Sequence, residues 1–289
     1  MNPKLFSTAV LALGMLFAGE TLAQTNRVDF PQLSPTCTIK QHIGLTDVEI
    51  VYSRPDVKGP ALKDRTIFDG LVPFGKVWRT GANSATKITF STAVKLNGTD
   101  VPAGTYALFT IPGADEWTII INKGAAQWGA FQYDEKVDVV RFKATPMKSG
   151  GPIKTFTIEF NQFTDDSAVL NLCWENTVVP VKLETDLTSK LVPQIEAVMA
   201  SDEKNKPYFQ AAQFYYDHGQ DLEKAKKWVE AAIAAREAHY IVFLKAKILA
   251  KMGDKEGAIA AAKRSSELAF KANDPGYVKM NDDLIATLK

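Results

Sequence analysis

From Thr38 to about Glu184 apolar residues recur at every second position, and beyond about Asp186 that pattern gives way to alanine-rich sequence. Val48, Ile50 and Tyr52 alternate with polar residues, as do Ile88, Phe90 and Thr92, then Phe156, Ile158 and Phe160, then Leu170 and Leu172. Period-two alternation in β-branched and aromatic residues makes strands with one buried face. Asn97-Gly98 lies between two such runs and marks a tight hairpin. Ala103-Gly104-Thr105 turns into Tyr106, and Trp117 to Ile121 adds another strand. The pattern predicts seven or eight short antiparallel strands over residues 34–185, as a β-sandwich, with a closed barrel as the alternative.

Residues 186–289 predict a separate helical region. Between Ser201 and Lys289 there are 17 Ala and two Pro, Pro207 and Pro275. Two stretches echo each other. Ala211 through Tyr215, Gly219 and Asp221 to Ala225 are echoed by Ala246 through Ala250, Gly253 and Asp254 to Ala258, with the glycines 34 residues apart and Ala225 and Ala258 33. This spacing, with small residues where helices cross and glycine where a helix ends left-handed, resembles tetratricopeptide repeats. Two such hairpins are few for a free-standing array, which predicts that one helical face packs on the β-domain.

The first residues predict an export signal. Lys4 is followed by an apolar run from Leu5 to Phe17, and Thr21-Leu22-Ala23 supplies a cleavage site after Ala23, so residues 1–23 would be removed. The run is shorter than the roughly 20 residues of a spanning helix. The expected destination is exported, periplasmic or extracellular. An oxidising compartment leaves two readings of Cys37 and Cys173, a disulfide between them or two separate buried thiols.

The side-chain inventory narrows the function. With 34 Lys+Arg against 33 Asp+Glu the chain lacks the basic excess of a nucleic-acid binder. Three His and two Cys are too few to suggest a metal or iron–sulfur site, and no motif points to a cofactor. No GxSxG, HExxH, P-loop or GxGxxG occurs. Asp134, Glu135 and Asp138 read as a solvated charged loop rather than as a glycosidase pair, and His42 as a strand-edge residue.

Between Ser53 and Ala85 the strand pattern stops, and so long an irregular connection in a compact domain usually carries function. It holds Arg54, Lys58, Arg79 and Asn83, donors suited to an anion or polar ligand. Lys123 and Trp128 follow in a second cluster. If these six converge, arginine forks would take carboxylate or phosphate and Trp128 would form a flat apolar wall. In the opposing reading the arginines satisfy their own loop, while Trp78, Trp117 and Trp174 fill the core.

The runs Tyr52-Ser53-Arg54-Pro55, Leu71 to Asn83, Ala103 to Tyr106, Asn122-Lys123 and Gln127-Trp128-Gly129 together resemble the exported bacterial family known as domain of unknown function 2911, over about residues 34–183. The chain departs from that family's pattern at Pro60, where a basic residue is expected. The resemblance implies an exported β-rich domain, sometimes followed by helical repeats, and carries no catalytic residues over. The leading expectation is therefore a non-enzymatic ligand- or protein-binding module with a basic–aromatic loop surface. Its ligand would be a glycan or small anion, and its helical region would meet an envelope protein. The alternative is an envelope hydrolase or transferase acting on a glycan or anionic metabolite.

Overall fold

The computed structural model describes residues 30–57 and 66–289; the expected export signal, Lys58 and Pro60 lie outside them. Ten strands come first: β1 (Thr36–Ile43), β2 (Thr46–Ser53), β3 (Ala82–Phe90), β4 (Val94–Leu96), β5 (Thr99–Val101), β6 (Gly104–Ile111), β7 (Trp117–Asn122), β8 (Asp138–Ala144), β9 (Met147–Asn161) and β10 (Ser167–Thr185). They form two antiparallel sheets, ordered β1-β2-β3-β6-β7-β8 and β5-β4-β10-β9. There are ten strands among the described residues rather than seven or eight, two of them, β4 and β5, only three residues long. The Asn97-Gly98 turn joins them as expected, with φ of 46° and 77° at its two central residues.

The sheets enclose one core. Ile50, Ile88, Phe90, Leu108 and Trp117 enter from the first sheet, and Phe156, Ile158, Leu170, Leu172 and Trp174 from the second. The long connection after β2 contributes as well, through Ile67, Phe68, Val72 and Trp78. Each such side chain contributes about 1.5–3 kcal/mol on burial, which pins the irregular segment to the sandwich. Its start also caps a strand edge. Val57 N–H donates to Lys154 O at 3.1 Å and Phe156 N–H to Pro55 O at 2.8 Å, along the otherwise unpaired side of β9.

Cys37 and Cys173 are unbridged. Cys37, opposite Tyr52 in the β1–β2 ladder, packs toward the core. Cys173 belongs to the other sheet, and alternation turns it away from the core face that Leu172 and Trp174 share. Burial pushes its thiol pKa up to about 12. Mass spectrometry of unreduced protein is expected to find both thiols free. Alkylation at pH 8 should label Cys37 far faster than Cys173, and a mass lowered by two hydrogens would contradict this.

Six helices follow: α1 (Thr188–Ala200), α2 (Tyr208–Asp217), α3 (Leu222–Ala235), α4 (His239–Met252), α5 (Lys255–Lys271) and α6 (Pro275–Leu288). α1 carries Pro193 in its interior. The echoed motifs are the turns of α2–α3 and α4–α5. Gly219 and Gly253 take φ of 62° and 85°, and the Asp221 and Asp254 carboxylates cap the next helix. Among the described residues the helical cores hold no sandwich residue, contrary to the expectation that one helical face packs on the β-domain. Tyr215, Trp228, Val229, Leu244 and Ile248 form one interhelical core, and Val242, Ala246, Leu249, Ala258 and Ala262 a second. The helices supply enough apolar surface to cover one another, and a polar bridge, His218 Nε2 to Asp165 Oδ2 at 2.7 Å, links them to the sandwich. Among the described residues no helix is long and apolar enough to cross a membrane.

Candidate functional site

The outer face of the six-stranded sheet is half covered. Strand parity sends Ile50, Tyr52, Ile88 and Phe90 inward and Val51, Ser53, Lys87 and Thr105 outward, with Val51 facing Lys87 across the β2–β3 ladder. Over the β6–β7 half lies a strap, residues 123–134. It buries Ala85, Ala107, Phe109 and Ile120 beneath Ala130 and Tyr133. The uncovered half becomes a cleft of about 690 Å³ along the strap's edge.

Two irregular pieces of backbone shape this cleft. The first is the turn from Arg79 to Thr86, where Thr80 and Asn83 have φ of 53° and 59°. A β-branched residue at positive φ costs about 1–3 kcal/mol, so its surroundings must hold it. Thr86 N–H donates to Arg79 O at 3.1 Å, Thr86 Oγ1 to Thr80 O at 2.5 Å, and the Trp78 indole N–H to Gly81 O at 3.1 Å. The turn swings Asn83 toward the cleft. There its Nδ2 donates to Gln32 Oε1 at 3.0 Å, Ser34 O at 3.1 Å and Ser53 Oγ at 3.2 Å.

The second piece is the strap. Ala85 N–H donates to Gln127 O and Gly129 N–H to Asn83 O, both at 3.0 Å, so residues 127–129 form a short bridge beside β3. This leaves the Trp128 indole 61% exposed on the cleft rim. The strap's far end is clamped by Asp138. Its Oδ1 accepts from Asn122 Nδ2 at 2.6 Å, and its Oδ2 from the Tyr133 hydroxyl at 2.7 Å and Arg141 Nε at 2.5 Å. Arg141 also donates to the Tyr133 hydroxyl and pairs with Glu135 at 3.1 Å. Burial, with Asp138 alongside, pushes the Tyr133 pKa up to about 12. The expected solvated acidic loop is thus corrected at Asp138, whose side chain is 9% exposed because three donors draw it inward.

The six residues singled out from the sequence do not meet. Asn83 and Trp128 line the cleft. Arg54 points to β9, donating to Phe156 O at 3.2 Å and Thr157 Oγ1 at 2.8 Å, and so fastens the loop. Arg79 is half-buried away from the cleft lining; burial lowers its pKa, and its Nε has no hydrogen-bond partner among the described residues. Lys123 is exposed at the foot of the strap, and Lys58 lies outside the described residues. In their place the cleft gathers Gln32, Thr36, Ser53, Lys87, Thr105 and Gln127. Lys87 forms no salt bridge among the described residues and supplies the cleft's cation. Parity from Ile88 could have placed Lys87 on the solvent face, but nothing local showed that the strap would wall it in.

No curated protein and no solved structure matches the chain. A family model described as "Protein of unknown function (DUF2911)" matches residues 34–183, which take in the strap, all of the cleft lining but Gln32 and all of the strands but the last two residues of β10. That match covers just over half of the 289 residues, and the chain belongs to this family.

Proposed function

We propose that the protein is an exported, non-enzymatic binding protein whose sheet-face cleft takes a glycan bearing acidic groups, followed by a tetratricopeptide-like helical region. The exposed indole of Trp128, which lines the same cleft as Lys87, carries this reading. A flat aromatic face suits the C–H side of a sugar ring. The amides of Asn83 and Gln127 and the hydroxyls of Thr36, Ser53 and Thr105 suit its hydroxyls, and the ammonium suits a carboxylate. Glycoside hydrolysis would call for two carboxylates roughly 5–10 Å apart, whereas the lining offers amides, hydroxyls and an amine.

Calorimetry with oligogalacturonate tests the cleft. The parent protein should bind, and Trp128→Ala should weaken binding about tenfold at an unchanged melting temperature. Lys87→Gln should lower affinity for the acidic oligosaccharide and spare its methyl ester. Failure of the parent to bind, or equal binding by Trp128→Ala, would remove the basis for the reading. Export is tested separately by N-terminal sequencing of the protein recovered from a bacterial periplasm or medium, which should begin at Gln24.

A further inference from the structure

Residues 30–35 lead into β1 along the sheet-face cleft, where Gln32 joins the lining. Little holds them there. Leu33 is fully exposed and Phe30 81% exposed, so apolar burial contributes almost nothing. Pro31 and Pro35 have no N–H, and among the described residues no backbone–backbone hydrogen bond reaches residues 30–33. The segment is fastened at Pro35, whose carbonyl accepts from Arg54 N–H at 2.9 Å. Before that point its tie to the domain is the Asn83 side-chain amide.

That amide is oversubscribed. Its nitrogen carries two hydrogens, yet three acceptors surround Asn83 Nδ2: Gln32 Oε1 at 3.0 Å, Ser34 O at 3.1 Å and Ser53 Oγ at 3.2 Å. Ser34 O can only accept, which fixes the nitrogen on this side of the amide. Ser53 is buried in β2 and Ser34 adjoins the anchored Pro35, whereas Gln32 is an exposed side chain. Gln32 is therefore the acceptor that can leave without stranding a donor.

Gln32 ends in an acetamide, the group that N-acetylated amino sugars carry. The cleft supplies what the rest of such a group needs. Val51, Ala85 and Ala126 offer apolar contact for a methyl. Gln127, its Nε2 held by Gly124 O at 2.8 Å, keeps an oxygen without a donor among the described residues, which suits an N–H. Gly129 N–H, bonded to Asn83 O at 3.0 Å, keeps this part of the strap beside Asn83.

We propose that Gln32 stands in for the acetamido group of an N-acetylated amino sugar, so that the cleft selects acidic glycans containing such sugars and residues 30–33 give way when one binds. The ligand carbonyl takes the Asn83 hydrogen bond from Gln32 Oε1, and the displaced segment gives up almost no buried surface. The inference rests on the reading of the cleft as a glycan site and adds the sugar that fits beside Asn83.

Calorimetry compares two tetrasaccharides, one alternating glucuronate with N-acetylglucosamine, the other with glucose in place of each N-acetylglucosamine. The first should bind about tenfold more tightly, the gain from one hydrogen bond and a buried methyl. Gln32→Ala removes the internal competitor and should tighten the N-acetylated ligand about threefold, leaving the glucose ligand unchanged. Asn83→Gly, which suits the φ of 59°, should abolish the preference. Equal affinity of the parent for both tetrasaccharides, or no gain for Gln32→Ala, overturns the inference and leaves the glycan reading standing. Absence of binding to either tetrasaccharide and to oligogalacturonate removes both.

Discussion

Trp78→Ala is expected to destabilise the sandwich by about 4 kcal/mol, near the upper end for deleting a buried aromatic ring, and to lower the melting temperature by about 10 °C for a domain of this size. The indole stacks on Trp174 at 6.0 Å and meets Phe156 at 5.1 Å, Phe68 at 6.2 Å and Trp117 at 6.3 Å edge to face. Its removal opens a cavity that rings on two opposed sheets cannot close. It also strips Gly81 O of its donor in the strained turn. Because that turn positions Asn83, the same variant should lose oligogalacturonate binding even below its melting temperature. Trp78→Phe keeps most of the packing and should fall between the two. Urea denaturation followed by circular dichroism measures the loss, and a value under about 1 kcal/mol would mean that the long connection is not anchored through this ring.

Asp138→Ala is expected to cost about 2 kcal/mol. Leaving a buried charge unpaired can cost roughly 3–5 kcal/mol, but the Arg141 side chain is 31% exposed and water screens part of that loss. The larger effect is local. Asn122, Tyr133 and Arg141 lose their common acceptor, so the strap should show faster amide exchange at residues 127–133 and poorer glycan binding while the core exchanges as before. Unchanged exchange there would show that the apolar patch beneath the strap suffices to hold it. Alkali attacks the same clamp. Tyr133 titrates near 12 in the folded chain against 10 when unfolded, so its stabilisation is complete below pH 10 and is lost as pH rises through about 12.

Features set by neighbours along the chain could be read before folding. The Asn97-Gly98 hairpin, the glycine helix ends at 219 and 253, and the buried strand positions of Trp117 and Trp174 depend on local backbone preference or period alone. The site depends on meetings across long stretches of chain. Asn83 reaches Gln32 and Ser34 only because the turn after Trp78 reverses it, and Trp128 reaches the cleft only because Asn122 and Asp138 fold the strap back. In sequence Arg54 and Arg79 read either as donors to a ligand or as donors to their own loop. One instead satisfies a carbonyl and a hydroxyl on β9 and the other lies beside the cleft rather than in it. Lys87 drew neither reading, since a lysine alternating with Ile88 looks like ordinary solvent-facing strand.

The cover that residues 55–57 place on β9 also bears on self-association. A bare strand edge templates pairing with another copy, and the stretch of β9 left uncovered among the described residues carries Lys148, Gly150, Gly151 and Pro152, poor material for such growth. A chain that sheds the cover while keeping its sheets would offer the free carbonyl of 154 and the free N–H of 156 to its neighbours, so loss of loop anchorage should surface first as turbidity in concentrated solution.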